Sequence, residues 1–222
     1  MSLVTIITPT TGKNSLHSLI EMIGKQTVSD TYHLLLWDDK REANSLNPEE
    51  FNSSKRHSIV CPPGTGRQGA APGSMLRSIA LMAAKTPWVT FADDDVWWNP
   101  EHLEKMLAVP NVHWVTTLRK IWTNSETGLS YLGVDRFESV GDDHTRNVPY
   151  EMCDGNTMMF KRELGVAAAH MFRETTEYND DRLMYAFLKK HAGPRGKTNL
   201  PTISQICPDK LTDFFRTNCS PE

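Results

Sequence analysis

Residues 75–95 read MLRSIALMAAKTPWVTFADDD, and this stretch decides the fold. Leu76, Ile79, Ala80 and Ala83 recur at the i, i+3, i+4 and i+7 spacing that gives a helix one apolar face. Trp88 to Ala92 is then an apolar run too short for a helix, so it reads as a buried strand. Asp93, Asp94 and Asp95 end it. A helix feeding a strand covered on both faces is part of a βαβ unit, and in such sheets ligands bind beyond the carboxyl ends of the strands. Three adjacent carboxylates repel one another unless water, a cation or a donor offsets them, and oxygen-rich acidic sites suit hard cations such as magnesium or manganese. Helix capping does not account for the triplet, because Asn99 and Pro100 already supply the start of the next helix.

The same alternation runs upstream. Leu3 to Thr8 is a β-branched strand that enters a turn at Pro9, and a helix capped by Asn14 or Ser15 carries Leu16, Leu19, Ile20 and Ile23 on one face before Gly24. His33 to Trp37 is a second strand, broken by Asp38 and Asp39, and Ser58 to Cys61 a third, stopped by Pro62 and Pro63. The prediction is an α/β fold with a mostly parallel central sheet flanked by helices. Asp38 and Asp39 then share the sheet edge with the triplet, where a carboxylate accepts hydrogen bonds from a nucleobase N–H or a ribose hydroxyl. Thr8, Pro9 and Thr10 form the neighbouring wall. In the loop that follows, Gly64, Gly66, Gly69 and Gly73 let backbone approach a phosphate, with Arg67 and Arg77 as cations. Neither GxxxxGK[ST] nor an early GxGxxG occurs, so Walker and Rossmann nucleotide loops are ruled out.

Downstream, a helix is expected from Pro100 to Ala108. Strands follow at Val112 to Leu118 and around Trp122 to Val134, with Glu126, Thr127 and Gly128 as a turn. Ser139 to Pro149 reads as a loop, Lys161 to Met171 and Arg182 to His191 as helices, and the chain beyond Ala192 as Pro-, Gly- and Lys-rich, ending in Phe214 and Phe215. Asn179, Asp180 and Asp181 precede the last of these helices. Acids in a first helical turn are ordinary, but a carboxylate beside an acceptor hydroxyl also serves as a general base.

The 222 residues carry a net charge of −3, with 39% hydrophobic and 23% charged side chains, a globular composition that excludes wholesale disorder and a strongly basic nucleic-acid coat. No apolar run of about 18 residues and no signal-peptide pattern is present, so the expected location is the cytoplasm, up to the inner membrane surface. Cys61, Cys153, Cys207 and Cys219 form no CxxC pair and read as free thiols.

Taken in order, VTIITPTTGK, Gln26 in IGKQT, LLLWDD, the glycine loop and MLRSIALMAAKTPWVTFADDD resemble the family 2 glycosyltransferases of the GT-A fold, the last stretch matching the family's DxD motif with Ser78 where Asn is usual. CDGNTMMFKREL resembles the acceptor-side strand and helix, and NDDRL the family's ED motif with Asn179 in place of Glu. The resemblance implies one GT-A domain over 1–222, with 1–100 as the nucleotide-sugar half and 101–222 as the acceptor half. It implies a metal-dependent, inverting transfer from a nucleoside-diphosphate sugar, UDP-sugars favoured, to an acceptor hydroxyl in glycan or polysaccharide synthesis. Thr8, Pro9, Asp38 and Asp39 match base and ribose contacts, with Thr10 and Asp94 beside them, and Arg77 matches a donor-side contact. Asp93 and Asp95 match the DxD positions at ribose and metal. Manganese or magnesium would sit on Asp95 and Asp93 with a late histidine, His191, as third ligand. Asp180 matches the base, with Asp181 as its rival.

Other readings stay open at this point: a sugar nucleotidyltransferase, whose Gly-rich signature would occupy Thr8 to Gly12, or an inactive module that binds nucleotide or carbohydrate, with Trp97, Trp98, Trp114 and Trp122 as stacking surfaces. The acceptor is equally open among a soluble glycan, a lipid-linked glycan reached by peripheral membrane contact, a protein and a modified nucleobase. The net charge argues against long nucleic acid, with Lys189, Lys190, Arg195 and Lys197 as a local basic patch on the other side of the argument.

Overall fold

β1 (Val4–Thr10) lies between β2 (Thr31–Asp38) and β4 (Trp88–Phe91), parallel to both, and β3 (Arg56–Cys61) adds parallel to β2. This is the structure of a computed structural model, which describes residues 2–38, 46–67, 72–135, 153–174 and 180–220. The strands are apolar almost throughout because helices cover both faces. Ile7, Leu34 and Leu36 pack with Leu76, Ala80 and Leu81 of α2 (Ser74–Ala83), whereas the alternate residues Val4, Ile6, Leu35 and Trp37 pack with Leu16, Leu19 and Ile23 of α1 (Ser15–Gly24). Each such side chain removed from water contributes about 1.5–3 kcal/mol, and the two-residue period divides that burial between two cores.

The remaining elements are β5 (Val96–Trp98), α3 (His102–Leu107), β6 (Trp114–Ser125), β7 (Gly128–Asp135), β8 (Met158–Lys161), α4 (Arg162–Ala168), α5 (Met171–Glu174), α6 (Asp180–His191), β9 (Gly196–Ile206), α7 (Thr212–Asn218) and β10 (Cys219–Ser220). The sheet runs β10-β7-β6-β8-β4-β1-β2-β3, with β9 beside β6 and β5 on β9. Parallel pairing therefore holds through β1–β4. The second half is mixed: β8 enters antiparallel between β4 and β6, and β9 pairs parallel with β6 but antiparallel with β5.

The hairpin turns at Glu126 and Thr127 as expected, although its first arm is one continuous strand, β6, rather than two. The predicted helix over Lys161 to Met171 is divided into α4 and α5. β9 and α7 have no forerunner in the pattern reading, because Pro201 and the left-handed Asn199 (φ 56°) interrupt the period of β9 and shift its register against β6. All four cysteines are free thiols. Among the described residues no helix is long and apolar enough to cross a membrane. The Ser139 to Pro149 loop lies outside the described residues.

Candidate active site

The parallel register sets Thr10 opposite Trp37 and Ile7 opposite Phe91, so β1, β2 and β4 deliver their carboxyl ends to one edge. There the three aspartates diverge. Asp94 is buried and accepts a hydrogen bond from Thr10 Oγ1 at 2.9 Å and an ion pair from Lys13 Nζ at 3.3 Å. Asp93 Oδ1 pairs with Arg77 Nη2 at 2.5 Å, its Oδ2 accepts from Asn156 Nδ2 at 3.0 Å, and its N–H donates to Asn156 Oδ1 at 2.7 Å. Asp95 is exposed, with no hydrogen-bond partner among the described residues. Partial desolvation and then the like charges of Asp93, Asp94 and Asp154 push its carboxyl up, against Lys13.

Arg77 is the hub. It leaves α2 toward the sheet edge with its side chain 11% exposed, pairs with Asp93 and with Asp180 Oδ2 (3.3 Å), and lies 5.7 Å from the Phe91 ring centre. Burial opposes its charge, but Asp93, Asp180 and Asp181 outweigh burial and keep it firmly protonated. Asp180 opens α6 and also accepts from Ser74 Oγ at 3.0 Å. Gly73 precedes α2 at φ 86°, a conformation natural to glycine, and a Cβ there would stand 3.2 Å from Pro9.

Asp181 lies over Gly155, where a Cβ would fall 2.7 Å from its Oδ1. Burial, then Asp180 and Asp154, raise its carboxyl well above the ordinary range, with Arg77 and the Gly155 N–H opposing. Asp154 goes the other way: burial pushes it up, but the Arg119 guanidinium and two hydrogen bonds from Asn156 hold it below the usual value. Thus the edge gathers Asp93, Asp94, Asp95, Asp154, Asp180 and Asp181 around Lys13, Arg77 and Arg119, an excess of negative charge. Among the described residues no three His, Cys, Asp or Glu side chains form a complete metal-ligand set. A hard cation bound through one or two carboxylates and completed by substrate phosphates needs no such set, and the unpartnered Asp95 fits that mode.

Of the residues expected from sequence, Pro9, Thr10, Arg77, Asp93, Asp94, Asp180 and Asp181 come together here with Asp95. Asp38 closes the second strand and accepts the Gly64 N–H at 2.6 Å, with the glycine loop folded against it. Thr8 needs correction: it is fully buried, donates to the Ala92 carbonyl at 2.7 Å and meets His33 Nε2 at 2.9 Å, so its side chain offers a ligand nothing. His191 also needs correction. It ends α6, exposed and tilted against Phe187, and the helix rise sets it about 16 Å from Asp180, at the end of α6 away from the acidic pair. Trp98 and Trp114 are core residues, whereas Trp97 is exposed beside the triplet and Trp122 half-buried. Gln26 is structural: its Oε1 accepts the Leu103 N–H inside α3 and its Nε2 donates to the Asn99 carbonyl. Asp39 and Gly69 lie outside the described residues.

Lys13, Ser74, Asp154 and Asn156 were missed. For Asp154 and Asn156 the one signal is the DG dipeptide at 154–155, a turn mark that puts these two polar side chains just ahead of β8; Lys13 and Ser74 carry none.

A search of curated protein sequences finds no match. Among solved structures, S. aureus TarS is similar in fold at 15% identity and a TM-score of 0.61, over 96% of this chain and 38% of that one. TarS 1–349 in complex with UDP matches at 13% identity and 0.62, over 96% of this chain and 62% of that one. TarS 1–349 in complex with UDP-GlcNAc matches at 13% and 0.57, over 94% and 59%. The chain therefore spans less than two thirds of the TarS chain in each of these three structures. The family model for glycosyl transferase family 2 matches residues 5–164, which carry β1 through β8, Arg77 and the acidic triplet. This chain belongs to glycosyl transferase family 2 and has the GT-A fold.

Proposed function

We propose that the protein transfers a sugar from a nucleoside-diphosphate sugar, with UDP-sugars favoured, to an acceptor hydroxyl in glycan synthesis, with inversion at the anomeric carbon. The observation that carries this reading is the juxtaposition at one sheet edge of an open carboxylate, Asp95, with the Asp180–Asp181 pair that opens α6, joined to the triplet through Arg77 and Asp93. The relatives of similar fold bound to UDP and UDP-GlcNAc support the donor class.

Pro9, Thr10 and Asp38 line the base and ribose side in this reading, and Arg77 orients Asp93 toward the donor. Asp95, with Asp93, would hold manganese or magnesium. A divalent cation bound there supplies Lewis-acid stabilisation to the departing diphosphate. The acceptor oxygen attacks the anomeric carbon, the bond to the diphosphate oxygen breaks, and the hydroxyl proton passes to a carboxylate of the Asp180–Asp181 pair. Spacing to Leu183 favours Asp180. However, Asp180 already serves Ser74 and Arg77, whereas burial and the neighbouring Asp180 and Asp154 raise the proton affinity of Asp181, so we assign the proton to Asp181 and the positioning to Asp180. The site of action proposed with this chemistry is the cytoplasm, up to the inner membrane surface.

The test is hydrolysis of UDP-GlcNAc, water standing in for the acceptor, with and without manganese, followed by NMR of the first sugar released. Metal-dependent UDP release with inverted anomeric configuration is the expected result. Retained configuration refutes the single displacement, and no binding of any nucleotide sugar across a donor panel refutes the reading itself.

A further inference from the structure

We propose that Arg119 is a positioning residue for the donor site, acting through Asp154 and Asn156 on Asp93; the proposal rests on the nucleotide-sugar reading above. Arg119 stands in the middle of β6, 3% exposed. Its Nε donates to Asp135 Oδ2 at 2.9 Å, and its Nη1 to Asp154 Oδ2 at 2.5 Å and Gln205 Oε1 at 2.8 Å. The Phe215 ring centre lies 5.6 Å from its Cζ. One guanidinium thus joins β6, β7, β9 and α7 to the turn before β8.

Beyond Arg119 the path is directional. Asp154 Oδ1 accepts both the N–H and the Nδ2 of Asn156, each at 2.9 Å. An asparagine amide has one donating and one accepting end, and an ionised carboxylate only accepts, so Asp154 compels the Nδ2 end to face it. The Oδ1 end is then left for the Asp93 N–H, while Nδ2 also reaches Asp93 Oδ2. With Oδ2 held by Asn156 and Oδ1 by Arg77, the Asp93 carboxylate has one orientation. A lysine at 119 carries a single ammonium and cannot reproduce a planar fork that serves Asp135, Asp154 and Gln205 together. Donor recognition in the N-terminal half is thereby made to depend on elements from the C-terminal third of the chain, β9 and α7.

The experiment compares wild type, Arg119→Lys, Asn156→Ala and the double variant, each titrated calorimetrically with UDP-GlcNAc in manganese and each melted thermally. Asn156→Ala is expected to weaken donor binding about 10-fold and Arg119→Lys about 5-fold, with the double variant no weaker than Asn156→Ala alone because the route is already cut. The loss of melting temperature from Arg119→Lys should persist in both backgrounds, which separates packing from positioning. Additive losses, about 50-fold in the double variant, overturn the proposal. So does Arg119→Lys binding the donor as wild type does. Should Arg119→Lys fail to fold, Gln205→Ala removes one acceptor of the guanidinium without stranding a charge; about 3-fold weaker binding in wild type and no effect beside Asn156→Ala is expected, and equal effects in both backgrounds overturn the proposal. Wild type that binds no nucleotide sugar refutes the functional reading and this inference with it, whereas wild-type binding alongside unaffected variants overturns the positioning role alone.

Discussion

Arg77→Met keeps an unbranched apolar stem of similar course while removing the guanidinium that Asp93 and Asp180 share and that lies over the Phe91 ring. Removing one partner of a buried ion pair costs about 3–5 kcal/mol, because the remaining charge is stranded away from water. Asp93 retains its hydrogen bonds to Asn156, and Asp180 retains Ser74, which puts the expected loss at the lower end, about 3 kcal/mol. For a chain of this length about 2–4 °C of melting temperature accompanies each kcal/mol, so a fall of about 6–12 °C is expected at neutral pH. The deficit has a sign in pH. Arg77 lowers the proton affinity of Asp181 and Asp154, so without it their folded-state carboxyls bind protons more readily and the variant's stability relative to wild type recovers as pH falls. Calorimetric melting of both proteins from about pH 8 down to about pH 4.5 measures this directly. A loss below about 2 °C, or a deficit that stays constant over that range, would refute the claim that Arg77 offsets the charge of the acidic edge.

Asp181→Asn should slow transfer about 10²- to 10⁴-fold with donor binding intact, and unchanged transfer would remove Asp181 from the mechanism. Because its carboxyl is raised in the fold, stability present in acid is lost as pH climbs through that raised value, so the asparagine variant should melt higher than wild type at neutral pH and match it in acid. Asp95→Ala removes a charge that desolvation and like charges disfavour, so the bare protein should melt no lower than wild type at neutral pH, yet manganese-dependent stabilisation by nucleotide sugar, worth about 2.7 kcal/mol at 100 times the dissociation constant, should be abolished; wild-type stabilisation in the variant would place the cation elsewhere. Gly155→Ala puts a Cβ 2.7 Å from Asp181 Oδ1 and should displace that carboxylate, lowering turnover by up to about 10²-fold with little thermal change, whereas equal loss of both would mean that the turn itself had failed.

Much of the first half of the fold was legible because local pattern and tertiary role agree there. Leu76, Ile79, Ala80 and Ala83 are helical by spacing and also face the core, and Trp88 to Ala92 is a strand by composition and also central in the sheet. The second half breaks that agreement. β9 gains its strand character from pairing with β6 and β5, partners distant in sequence, and it carries Pro201 and a left-handed Asn199 that local reading takes for coil. Thr8 illustrates the same limit on a smaller scale: both faces of β1 are covered, and Thr8, short of the strand's carboxyl end, spends its hydroxyl on His33 and the Ala92 carbonyl. His191 looked available only because spacing along a chain says nothing of which end of a helix meets the site.

The residue types needed for the proposed chemistry stand in the sequence: acids at strand ends, a cation on an apolar helix and a pair of acids opening a late helix. Parallel strand order then forces Asp38 and Asp93–Asp95 to one edge, a topological consequence of short right-handed crossovers. What each carboxylate is paired with there was decided by tertiary contact alone. Asp93, Asp94, Asp180 and Asp181 share one composition and one intrinsic acidity, but Arg77, Lys13, Ser74 and Gly155 arrive from different segments to pair the first three and leave the fourth desolvated between like charges. A carboxylate's role follows from the charges and donors within a few ångströms, and those neighbours are brought together by folding rather than by adjacency along the chain.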